Sequence, residues 1–108
     1  MNTLEILKAG RAKITLPENF TTGAYARNSR GNSTCSGDVK ACCWCSLGAI
    51  AVVVRMSVGW MMQDLFYGKA IFALENSMKG DIPDFSDSHT HAEVLAAWDA
   101  AIAEEEAK

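Results

Sequence analysis

VKACCWCSLGAIAVVVR, residues 39–55, is the stretch whose reading decides the fold. It carries no charge from Ala41 to Val54, and it holds three of the four cysteines. The β-branched run Val52-Val53-Val54 suits a strand. The segment is too long for a typical strand, however, and Leu47, Ile50, Ala51 and Val54 recur at helical spacing. The pattern therefore predicts a helix from about residue 39 to 55. A helix that is apolar all round belongs in the centre of its domain. It is not a membrane span: fourteen uncharged residues fall short of the roughly 20 that a bilayer requires.

The neighbouring segments supply helices to surround it. Residues 3–12 place Leu4, Leu7 and Arg11 on one face with Ile6 beside it, and Thr3 is positioned to cap. Gly10 weakens that helix and Pro17 bars its continuation. Residues 20–38 are rich in Gly, Asn, Ser and Thr and read as loop, with room for a short β-hairpin near residues 20–27 and a flexible part at 28–38. Gly59 offers a break. Residues 61–78 then read as a third helix, with Tyr67, Ile71, Leu74 and Met78 in one stripe. Gly80 and Pro83 end it, and residues 81–88 read as loop. The last helix has the clearest start: Thr90 and Glu93 have capping-box spacing. Val94, Leu95, Trp98, Ala101 and Ile102 form its buried stripe. Its end, residues 104–108, places three glutamates at the negative pole of the dipole and is expected to fray, with a Glu104–Lys108 pair offsetting part of the cost.

One domain suits 108 residues, and 49% apolar composition can fill a core without a metal or disulfide staple. The net charge of −3 makes nucleic acid an unfavourable partner. Charge is uneven. Residues 1–40 hold six basic and three acidic side chains, whereas residues 75–108 hold nine acids against Lys79 and Lys108. The opening MNTLEILKAGRAK has charges where a signal peptide would be apolar, so a reducing cytoplasmic location without disulfides is expected.

The candidate sites follow from these features. Cys42 and Cys45 have C-x-x-C spacing; with Cys35 and His89 they would complete a tetrahedral zinc set, the alternative metal reading. A cysteine near a helix N-terminus beside His89 or His91 could instead be a reactive thiol, although nothing supplies an oxyanion hole. The two histidines read first as solvent-facing cap residues. Met56, Met61, Met62 and Met78 read as core filling. The acidic Glu104, Glu105 and Glu106 and the basic Arg27 and Arg30 are candidate protein-binding surfaces. No phosphate-cradling loop, G-x-S-x-G or H-E-x-x-H is present.

Three stretches taken in order, TTGAYAR (21–27), WCSLGAI (44–50) and DSHTHAEVLAAWDAAI (87–102), resemble an uncharacterised family of small proteins found in bacteria and their phages. In that family a W-x-q-G-x-x-a-r opening precedes a C-x-x-G-A helix and a W-N-D loop leading into T-x-x-E-V-l. Phe20 stands where the first tryptophan would be, and Phe85-Ser86-Asp87 replaces W-N-D. Cys45 matches the family's cysteine, so Cys35, Cys42 and Cys43 are extra. The resemblance implies a compact, mainly helical fold and no assignable activity.

The expectation is thus a mainly α single domain, residues 1–108, with four helices around a central apolar one and at most a small β element. Its expected role is non-enzymatic binding of a host protein, with no membrane partner and no cofactor. A homodimer through the apolar residues 41–62 is compatible with it.

Overall fold

A computed structural model describes residues 2–58 and 63–108. Among these residues the chain forms five helices and a three-stranded antiparallel sheet. The mainly helical expectation holds, and the helix over Ile82–Ser88 is one that the sequence did not suggest.

Helix α1 spans Thr3–Lys13. Its cap is Asn2, not Thr3. The Asn2 side chain accepts from the Glu5 amide at 2.9 Å, and the Glu5 carboxylate takes the Asn2 amide at 3.2 Å. The acidic partner three residues on closes the reciprocal pair around Asn2. Ile6, Leu7 and Gly10 are buried. Gly10 serves as a seat: a Cβ there would lie 2.9 Å from the Trp98 ring.

The decisive stretch is two elements. Ala41–Trp44 is strand β3, and Ser46–Val58 is helix α2. The expected continuous helix over 39–55 is corrected at Cys45. There the backbone amide leaves the helical pattern to donate to the Tyr25 carbonyl, 3.1 Å away. Residues 41–44 find their backbone partners on another strand, which outweighs a helical ladder. From residue 46 the helical reading holds, β-branched run included, with Ala49, Ile50 and Val54 fully buried.

Strands β1 (Ala26–Asn28) and β2 (Ser33–Thr34) form a hairpin in the sheet order β2-β1-β3. The hairpin thus overlaps the expected residues 20–27 only at Ala26 and Arg27 and extends beyond them to Thr34. Much of the 28–38 stretch, expected as loose loop, is internally bonded. The Asn28 side chain accepts from the Arg30 and Asn32 amides, Thr34 Oγ1 donates to Asp38 at 2.6 Å, and Trp44 donates to the Ser36 carbonyl.

Helix α3 is Gln63–Met78. The break at Gly59 and the contributions of Met61 and Met62 lie outside the described residues. Met78 is buried, but Met56 is 75% exposed and does not fill the core. Helix α4, Ile82–Ser88, occupies the expected loop at 81–88. Asp81 caps it by accepting from the Asp84 amide, and Pro83 in the first turn favours the helical start. Helix α5, His91–Glu106, begins with the expected capping box: Thr90 accepts from the Glu93 amide, and the Glu93 carboxylate from the Thr90 amide.

Helix α2 packs on α1, α3 and α4, while α5 packs on α1 and α3. Arg11 on α1 grips Asp99 on α5 through two nitrogens, at 2.9 and 3.2 Å. Trp98 of α5 is fully buried in the shared core.

Candidate functional site

A cleft of about 490 Å³ opens where four segments meet. Its walls are residues 22–25, strand β2, residues 45–47 at the start of α2, and Ile82, Pro83, Ser86 and Asp87 of α4. The volume lies in the range of ligand sites, roughly 300–1,000 Å³.

Each wall has a local cause. Residues 21–31 are held by Arg27, which donates to Thr21 Oγ1, the Thr22 carbonyl and the Gly31 carbonyl at 3.0–3.1 Å. Gly23 supplies a left-handed turn, φ 78°. The loop meets α2 at Gly48, where a Cβ would overlap the Tyr25 carbonyl. On the α4 side, Ser86 is 6% exposed. Its hydroxyl has no hydrogen-bond partner among the described residues, which is unusual for a buried polar group. Asp87 is exposed beside it and contributes the carboxylate in the lining.

Cys45 is a capping residue. Its sulfur accepts from the Gly48 amide at 3.3 Å, and its carbonyl accepts from Ala49. Burial pushes its thiol up, against the opposing pull of the Gly48 amide, so it is held as the weakly nucleophilic thiol. Tyr67 is pushed up to about 12, first by burial and then by the nearby Tyr25 and Cys45.

The other candidates are dispersed. Cys35 is exposed just beyond β2, and Cys42 is exposed on β3. His89 stacks on Phe85 with ring centres 3.7 Å apart, and its Nδ1 lies 2.8 Å from the Phe85 carbonyl. Among the described residues no three His, Cys, Asp or Glu side chains are grouped to hold a metal ion. His91 is not the solvent-facing residue expected. It is half-buried, its Nε2–H donates to the Ile14 carbonyl at 2.7 Å, and its ring centre lies 5.2 Å from that of Phe20. It clasps the start of α5 to the end of α1.

The charged surfaces are partly engaged within the molecule. Arg27 is the loop clamp described above, whereas Arg30 is exposed. Glu106 pairs with Lys8 at 3.4 Å, and Glu105 with Lys108 at 3.0 Å. The Lys108 pairing is therefore to Glu105, three residues back, in place of Glu104. Glu104 is exposed.

Sequence reasoning did not select Tyr25, Ser86 or Asp87. The available signal was the set of stretches 21–27, 44–50 and 85–87, which line the cleft together although each reads as turn or helix start when taken alone.

A mainly helical domain with a small sheet and a cleft between its loops is the class these features define. The chain belongs to a family of unknown function, DUF6197, whose model matches residues 1–104. No curated protein and no solved structure matches it. Among the described residues no helix is long and apolar enough to cross a membrane.

Proposed function

We propose that this protein is a non-catalytic binding module that takes an extended segment of a partner protein in the cleft beside α4. The observation that carries this reading is Ser86, a buried hydroxyl without a hydrogen-bond partner among the described residues, in a recess of ligand size. Leu47, Ile82 and Pro83 supply apolar wall, and Asp87 supplies a carboxylate for a basic or amide group. Strand β2 lines the cleft and is one of the two edge strands of its sheet. Its outer backbone groups suit a segment that adds as a strand while one side chain enters the recess. On this reading the partner belongs to the host of a phage or mobile element, by analogy with small phage proteins that bind host machinery.

Among the charged residues expected to bind, Arg30 and Glu104 keep the exposure such a surface needs, while Arg27, Glu105 and Glu106 have internal partners. The alternative, a zinc or thiol site on Cys35, Cys42, Cys45 and His89, has less support because Cys45 and His89 are engaged in local caps.

Peptides selected from a random display library against the folded chain test the proposal. Bound peptide should shift NMR amide signals of residues 22–25, 33–34, 45–47 and 82–87. Ala24→Trp and Pro83→Arg should abolish the shifts, and charge reversal at Glu104, Glu105 and Glu106 should leave them intact. Shifts confined to the C-terminal turn or the Arg27–Arg30 region would reject the cleft as the binding element.

A further inference from the structure

Cys42 and Cys43 are neighbours in a strand, where alternation normally sends consecutive side chains to opposite faces. Here the register is interrupted. Arg27 pairs with Cys43 and Asn28 with Ala41, which leaves Cys42 as the extra residue of a bulge. The bulge turns both sulfurs toward one acceptor. Cys42 Sγ lies 3.5 Å and Cys43 Sγ 3.8 Å from the Arg27 carbonyl oxygen. Neither belongs to the core cluster: Cys42 is exposed and Cys43 half-buried. Core filling therefore does not explain this pair.

We infer that Cys42 and Cys43 form a dithiol clip for a soft ion that takes two sulfur ligands, of the trivalent-arsenic type. Soft thiolate donors favour such thiophilic centres over hard cations. Two sulfurs held side by side make the second bond intramolecular, so the pair outcompetes single thiols. Arsenic in phenylarsine oxide provides the balanced case. Two S–H bonds break, two As–S bonds form, the oxygen leaves as water with the two protons, and no atom changes oxidation state. The surrounding sheet leaves the bulge edge open for this, since Cys42 is exposed. The clip is separate from the cleft, and it stands whether or not the cleft binds a partner.

The test uses the reduced full chain with one equivalent of phenylarsine oxide, followed by iodoacetamide, digestion and mass spectrometry. One adduct per chain is expected. Cys42 and Cys43 should escape alkylation in the treated sample and react in the untreated one, and excess 2,3-dimercaptopropanol should reverse the protection. Cys42→Ser and Cys43→Ser should each weaken binding roughly a hundredfold, while Cys35→Ser should bind as the parent does. The protection map is read on the parent chain, so it decides the matter even for a variant that folds poorly. Protection falling on Cys35 or Cys45, or equally tight binding by Cys42→Ser, would overturn the inference.

Discussion

The indole nitrogen of Trp98 donates to Ser46 Oγ at 3.0 Å, and both side chains are fully buried. This bond ties the middle of α5 to the first residue of α2. The same indole lies against Gly10 of α1. Ser46 also lines the cleft, so the core and the candidate site share a residue.

Ser46→Ala should leave the buried indole N–H without an acceptor and cost about 1–3 kcal/mol of stability. Chemical denaturation would measure it. Trp98→Phe should destabilise as well, and the double variant should lose less than the sum of the two single losses, because one bond is counted in both. Strict additivity would show that the bond contributes nothing.

Gly48 and Gly68 should respond oppositely to alanine. A Cβ at Gly48 overlaps the Tyr25 carbonyl, which also holds the Cys45 amide, so Gly48→Ala should separate the 22–25 loop from α2 and reduce stability sharply. Gly68 is exposed within α3 with open space at its Cβ position, so Gly68→Ala should raise stability by about 0.5–1 kcal/mol. Thermal melts of the two variants check the contrast.

Arg27 should behave as a clamp. Arg27→Ala removes three donors from the 21–31 loop, and amide exchange should accelerate there while α5 is unchanged. Arg27→Lys keeps the charge but loses the planar fork; it should restore little of the protection. Full restoration by lysine would mean that charge alone is what the loop requires.

The α5 cap predicts an acid-side loss of stability. Hydrogen bonds from Thr90 hold the Glu93 carboxyl below its ordinary 4.5. The folded state therefore binds this proton less readily than the unfolded one. The contribution is fully present above about pH 4.5 and is lost as pH falls through the lower folded value. Melting temperatures of the parent and Glu93→Gln should converge as pH drops through that window. A gap that stays constant with pH would contradict the assignment.

Tyr67 gives the alkaline counterpart. Its hydroxyl is pushed up to about 12, mainly by burial, so the folded state keeps a proton that the unfolded state releases from about pH 10 upward. Its contribution is present below pH 10 and declines as pH rises toward 12. Ultraviolet titration of the parent against Tyr67→Phe should show one late-ionising tyrosine missing in the variant.

Much of this was readable locally. The Thr90–Glu93 cap, most of the α5 stripe and the helix over residues 49–54 follow from spacing within one or two turns. The same local logic misplaced one cap, because Thr3 and Asn2 are both capping residues and the Glu5 side chain closes on Asn2. It also missed α4, whose Pro83 read as a stop but lies in the first helical turn.

By itself the sequence determined a mainly helical chain with an apolar centre, because periodicity and cap chemistry act between residues at most a few positions apart. Tertiary structure alone decided that the centre breaks at Cys45, that the bulge brings two sulfurs to one carbonyl, and that stretches 21–27, 44–50 and 85–87 enclose a cleft. Those outcomes depend on partners distant in the chain: Tyr25 for Cys45, Arg27 for the sulfurs, and Ser46 for a tryptophan 52 residues away. Such partners leave no period or spacing in the residues that meet them.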